Sequence, residues 1–65
     1  MNLKKYRENS GLSQRELAEK AGVHITAIGK LESGERSFGK LRLETALKIA
    51  DALSADVRSL IDEEN

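Results

Sequence analysis

Cysteine, proline and tryptophan are absent from this chain of 65 residues, and histidine, phenylalanine and tyrosine occur once each. Without cysteine there is no disulfide framework and no thiolate metal site, and the lone His24 cannot build a zinc site. A metal-stapled miniprotein is therefore excluded, no metal or cofactor is expected, and the core has to be packed from aliphatic side chains. The lack of proline, of repeats and of low-complexity stretches leaves nothing to divide the chain. Residues 1–65 read as one domain, with a core over about 3–61 and an acidic tail at 62–65, near the lower end of what folds unaided. No segment approaches the roughly 18 consecutive apolar residues of a membrane span. The beginning, Met1-Asn2-Leu3-Lys4-Lys5-Tyr6-Arg7, turns charged too early for the apolar core of a signal peptide. A cytoplasmic, reducing compartment and no membrane partner are the expectation.

What is present is helical periodicity, and nothing reads as a strand. A first helix runs from about Leu3 to Ser10, with Leu3, Tyr6 and Arg7 on one side and Gly11 as a left-handed cap. The second starts at Ser13, where Ser13-x-x-Glu16 is a capping box and Leu12 and Leu17 form the staple pair that fixes its entry angle. Gly22 ends it. The third runs from His24 or Ile25 to Ser33, closed by Gly34, with Ile28 and Leu31 facing in. The connection Glu35-Arg36-Ser37-Phe38-Gly39-Lys40-Leu41, with Phe38 expected at the core edge, leads to a fourth helix. There Leu43, Ala46, Leu47, Ala50 and Leu53 mark an apolar face. A short fifth helix around Asp56–Ile61 has Asp56 as its N-cap and Val57, Leu60 and Ile61 facing in. The fold class is all-α, with five helices.

The second and third helices are short and joined tightly at Gly22, so they cannot lie antiparallel. They cross steeply, and the third projects one face outward, which is the layout of a helix-turn-helix that reads DNA. The charges agree once they are placed. Eleven basic residues balance eleven acidic ones over the whole chain. Residues 1–42, however, carry nine basic and five acidic residues, a net of +4, and residues 43–65 carry two and six, a net of −4. A duplex would be met by the first two-thirds, with the acidic end pointing away. The tail Asp62-Glu63-Glu64-Asn65 also fits a plain solubilising end.

These residues resemble a known family. Gly11-Leu12-Ser13-Gln14-x-Glu16-Leu17-Ala18-x-Lys20-x-Gly22-Val23, followed by Ile28-x-x-Leu31-Glu32-x-Gly34, is similar to the Cro/cI (Xre-type) helix-turn-helix domains. The stretch Leu43-Glu44-Thr45-Ala46-Leu47-Lys48-Ile49-Ala50-x-Ala52-Leu53 and the closing Val57-Arg58-Ser59-Leu60-Ile61 fit its fourth and fifth helices. The likeness implies a compact five-helix, lambda-repressor-like domain whose helix-turn-helix is formed by helices 2 and 3.

By the same resemblance Gln14 stands where the family clamps a backbone phosphate, and its amide suits either a phosphate oxygen or a base edge. The N-terminal outward residues of the third helix would enter the major groove: His24, Ile25, Thr26, Gly29 and Lys30. Ile25 offers apolar contact, best matched to a thymine methyl, and Thr26 a hydroxyl and a methyl. Gly29 offers close approach, and Lys30 reaches a phosphate or a guanine edge. His24 fits a solvent-facing cap of the third helix equally well. Arg36, Ser37, Lys40 and Arg42 surround the loop that touches the sugar-phosphate backbone in relatives. Arg7 and Glu32 stand where the family places a partly buried ion pair between its first and third helices.

The expected function is that of a DNA-binding transcriptional regulator, a small repressor that binds an inverted repeat in double-stranded DNA as a homodimer. Val57, Leu60 and Ile61 are the candidates for the dimer contact or else are core, and no small-molecule effector is expected. The second reading is an antitoxin-like or co-regulator module that keeps the fold and takes its specificity from a protein partner. An enzyme is not expected, because one histidine, no cysteine and scattered carboxylates offer no nucleophile–base constellation.

Overall fold

The computed structural model describes residues 3–56, 58 and 60. Among them are four α-helices: α1 (Leu3–Asn9), α2 (Gln14–Ala21), α3 (Ile25–Ser33) and α4 (Leu43–Ala52). A 3-10 turn, Phe38–Lys40, lies between α3 and α4, and no described residue is in a strand. The class is all-α. The count expected from the sequence was five, and the described residues carry four. Part of the expected fifth helix, including Val57 and Ile61, lies outside the described residues, as does the tail 62–65. What is described there fits a capped start, since Asp56 Oδ1 accepts the Arg58 N–H at 2.9 Å.

Local chemistry sets the helix ends. At the start of α2, Ser13 Oγ accepts the Glu16 N–H at 3.0 Å, and Glu16 Oε1 accepts the Ser13 N–H at 2.8 Å. This closes the capping box and satisfies two donors the helix cannot pair internally. At its end Gly22 adopts φ 69°, ψ 33°. Gly22 N–H then donates to Glu19 O at 3.2 Å and Val23 N–H to Ala18 O at 2.9 Å, a Schellman closure that requires a left-handed residue. Gly11 and Gly34 close α1 and α3 in the same region of backbone space. After α4 the same pair of bonds recurs, Ser54 N–H to Asp51 O and Ala55 N–H to Ala50 O, but the residue held at φ 52° is Ser54.

α2 sits at the centre and packs on α3 and α4, while α1 lies against α3. Leu3, Leu17, Ile28, Leu31, Phe38, Ile49 and Leu60 are the large side chains withdrawn from solvent. Burial of each such side chain is worth about 1.5–3 kcal/mol. Phe38 anchors the loop after α3 by entering the core, as expected of the one phenylalanine. Leu12 and Val23, flanking α2, pack against the same cluster.

One sequence expectation needs correcting. The inward stripe of α4 is Ala46, Ile49, Ala50 and Leu53, whereas Leu43 and Leu47 are 69% and 42% exposed. Both stripes are apolar at helical spacing, and the small Ala46 and Ala50 let α4 approach α2 closely while the bulkier leucines turn outward. Leu60, left open between dimer contact and core, lies in the common core.

Candidate nucleic-acid interface

The capping box and the Gly22 turn fix where α3 begins, and His24 sets how it begins. His24 is the N-cap residue, in extended backbone, and its Nδ1 accepts the Thr26 N–H at 3.3 Å. The Thr26 hydroxyl lies 3.1 Å from the same nitrogen. A cap residue of this kind satisfies one of the donors left over at a helix start. His24 is thus a solvent-facing cap of α3, which is one of its two expected readings, the other being a contact to DNA.

Beyond the cap, α3 buries Ile28 and Leu31 and turns its other side to solvent. Thr26 and Lys30 are exposed, Ile25 is 38% exposed, and Gly29 is half-buried. A side chain at Gly29 would meet no atom within 4 Å. Thr26, Gly29, Lys30 and Ser33 follow one another at the 3-1-3 spacing of a single helical stripe. Ser33 was missed from the sequence, although its place seven residues after Thr26 marks it as a member. Its hydroxyl is engaged at the helix end, donating to Lys30 O at 3.1 Å and accepting from the Glu35 N–H at 3.3 Å.

A part-buried ion pair joins α3 to α1. Arg7 Nε donates to Glu32 Oε2 at 2.6 Å and Arg7 Nη2 to Glu32 Oε1 at 3.2 Å, with the two side chains 11% and 5% exposed. Arg7 Nη1 also donates to the carbonyl of Leu12 at 2.8 Å, and Gln14 Nε2 to Glu32 Oε1 at 3.0 Å. The carboxylate thus gathers α1, the α1–α2 connection and the first residue of α2 onto α3. Among the described residues no buried side-chain polar atom is left without a partner. Burial pushes the Glu32 carboxyl up, but the hydrogen bonds from Arg7 and Gln14 and the charges of Arg7 and Lys4 outweigh it and hold it below the usual carboxylate range. The hydrogen bond to Glu32, opposed in part by burial, raises Arg7 above an already high value.

Gln14 is placed differently from what its expected phosphate role suggests. Its amide nitrogen is turned toward Glu32, which leaves the carbonyl oxygen and the second amide hydrogen for any external partner. The loop after α3 is more ordered than a plain connection. Arg36 N–H donates to Lys30 O at 3.1 Å, folding the loop back on the end of α3, and Lys40 N–H donates to Ser37 O at 3.1 Å within the 3-10 turn. Arg36, Lys40 and Arg42 are exposed and Ser37 is half-buried. Beside the start of α3 lies an open depression of about 340 Å³, lined by Arg15, Ala18, Glu19, Val23, His24 and Ile25. Arg15 escaped sequence reasoning, though it directly follows Gln14 and shares the exposed side of α2 with Glu19.

No helix among the described residues is long and apolar enough to cross a membrane. A helix-turn-helix family model matches residues 3–60 of the chain. Control protein C.SmaI of Serratia marcescens is 40% identical to it over 60 residues, spanning 92% of this chain and 68% of that protein.

Proposed function

The chain belongs to the Cro/cI-type (Xre-like) helix-turn-helix family of DNA-binding transcription regulators, and from that premise we propose that it is a small repressor that binds an inverted-repeat operator as a dimer. The observation that carries this reading is the Arg7–Glu32–Gln14 cluster, which holds α3 to α1 and α2 while Thr26 and Lys30 face solvent. A rigid helix with one open face is what major-groove reading requires. In this reading Arg36, Lys40, Arg42 and Ser37 position the backbone, together with the free side of the Gln14 amide. His24, Ile25, Thr26 and Lys30 meet base edges.

One such unit reads only a few base pairs, so two half-sites about 10–10.5 bp apart, one turn of the duplex, are expected. Leu43 and Leu47, exposed and four residues apart on α4, support a second copy as the cover for that face. Occupying a promoter is regulation enough for a domain of this size, so repression by occlusion is the simplest output. The relative's designation as a control protein accords with a regulatory role.

The test is selection of bound sites from a randomised duplex library at near-physiological salt. Enrichment of an inverted repeat with one-turn spacing is the expected result. Salt-sensitive background binding without enrichment would overturn the operator-reading proposal in favour of a module whose specificity comes from a protein partner.

A further inference from the structure

We infer that Ile25 reads the C5 methyl group of a pyrimidine, so that 5-methylcytosine is taken at its place in the duplex as thymine is. The inference rests on the DNA-reading role proposed for α3 and adds the class of base that one of its residues takes.

Three large hydrophobic side chains are exposed among the described residues. Leu43 and Leu47 stand on α4, so Ile25 is the one within the helix-turn-helix. It is the first residue of α3 and lies outside the core cluster, so the packing of the core does not account for it. Gly29 stands one turn further along the same side. Its backbone is not left-handed and a Cβ there would meet no atom within 4 Å, so neither conformation nor packing asks for glycine. Side chains on a helix lean toward its N-terminus, and a long one at position 29 would cover Ile25. Glycine leaves it open, at a cost in helix propensity. Ile25 also lines the open depression shared with Ala18 and Val23, so apolar surface continues from it toward α2.

The chemistry of this side chain defines its partner. Isoleucine has no donor and no acceptor, so a phosphate or a hydrogen-bonding base edge gains nothing from it. The apolar group that the major groove offers is the C5 methyl of thymine. 5-Methylcytosine carries the same methyl on the same carbon. The two bases differ at C4, where thymine has an acceptor oxygen and cytosine an amino donor, and a hydrocarbon side chain cannot tell these apart. The methyl therefore adds the same increment of binding in either base.

The experiment starts from the site enriched by the wild-type chain, with binding measured for wild type, Ile25→Ala and Thr26→Ser. Each thymine of one half-site is replaced singly by uracil, which removes only the methyl. At the position that responds, the thymine–adenine pair is exchanged for cytosine–guanine, a single change that leaves binding measurable. Duplexes with cytosine and with 5-methylcytosine there are then compared, again a difference of one methyl. For the wild type, loss of the methyl is expected to weaken binding about fourfold in both comparisons, the worth of one buried carbon. Ile25→Ala, its fold verified by thermal melting, is expected to lose both differences. Thr26→Ser, which removes the neighbouring outward methyl, is expected to keep them.

An enriched site at which no thymine responds to loss of its methyl would overturn the inference and leave operator reading intact. So would a response that survives in Ile25→Ala or disappears in Thr26→Ser. A response to the thymine methyl with none to that of 5-methylcytosine would overturn the equivalence of the two bases. Absence of any enriched site would overturn both this inference and the function it rests on.

Discussion

Arg7 of α1 and Glu32 of α3 meet through two hydrogen bonds of 2.6 and 3.2 Å, with both side chains largely withdrawn from solvent. Their value to the fold lies in being left together. Replacing either alone strands the other charge in the interior, which costs about 3–5 kcal/mol. That is a large share of the roughly 5 kcal/mol at the low end of domain stability. Arg7→Ala and Glu32→Ala are each expected to lower stability by about 3 kcal/mol or more, read as a large drop in the urea midpoint followed by circular dichroism. The double replacement Arg7→Met with Glu32→Leu is expected to recover much of that loss, because no charge is then left unpaired.

The same carboxylate gives the protein an acid limb. Glu32 has its folded-state pKa below the unfolded value, as does Glu16, whose carboxylate accepts hydrogen bonds from the Ser13 backbone and hydroxyl. A depressed carboxyl contributes stability that is fully present above the unfolded value of about 4.3 and disappears as pH falls through the folded value. Stability is therefore expected to be flat between neutrality and about pH 5 and to drop below it. Glu16→Gln keeps an acceptor for the Ser13 N–H while removing a titrating group, so its acid limb is expected to be shallower. Urea midpoints measured from pH 7 to pH 3 check this, and a limb as steep as wild type in Glu16→Gln would contradict it.

Much of this architecture was legible because its signals are local. The capping box at Ser13 and Glu16 and the stop at Gly22 follow from residue types at fixed offsets, whereas the pairing of Arg7 with Glu32, 25 positions apart, was implied only by the family resemblance. The orientation of α4 was legible in part. Of the expected face Leu43, Ala46, Leu47, Ala50 and Leu53, the structure buries Ala46, Ala50 and Leu53, and Ile49 joins them while Leu43 and Leu47 are exposed, a choice only the neighbouring helix decides. Of the outward residues expected on α3, His24, Ile25, Thr26 and Lys30 are exposed and Gly29 is half-buried. The sequence did not anticipate that Gln14 would turn its amide to Glu32, since that contact depends on how three helices converge.

Ser54 occupies a place where the other helix ends carry glycine. Its φ of 52° puts a side chain in the left-handed region, in a closure otherwise complete. An L-residue held there costs about 1–2 kcal/mol, and the larger unfolded-state entropy of glycine offsets part of the gain. Ser54→Gly is expected to raise stability by about 0.5–1 kcal/mol, a rise in Tm of a few degrees in a calorimetric or circular-dichroism melt.

Gly29 poses the opposite balance, between fold and function. It lies in the middle of α3, where glycine costs about 1 kcal/mol relative to alanine. An added Cβ would meet nothing within 4 Å, so Gly29→Ala is expected to melt higher than wild type. If α3 docks in the major groove, that methyl stands on the docking face, between Thr26 and Lys30. The same variant is then expected to bind the selected operator less tightly, by about tenfold for roughly 1.4 kcal/mol of lost fit. A variant both more stable and equally tight would remove Gly29 from the interface.

Lys30 and Arg36 test the docking face without touching the core. Both are exposed, and the Arg36 backbone is tied to Lys30 O, so the two side chains emerge near the same end of α3. Neither side chain has a salt bridge to lose, since the ion pairs among the described residues join Arg7 to Glu32 and Lys48 to Glu44. Alanine at either position should therefore leave the melting temperature unchanged. A residue that neutralises a phosphate releases about one counterion, so its removal lowers the slope of log K against log salt by about 0.9 for duplex DNA. Arg36→Ala is expected to lose about that much slope and to weaken all sequences alike. Lys30→Ala separates the two roles open to it: an equal loss across sequences with a reduced slope places it on a phosphate, and a loss confined to the selected operator places it on a guanine edge. Wild-type binding by both variants would put the docking face elsewhere on the molecule.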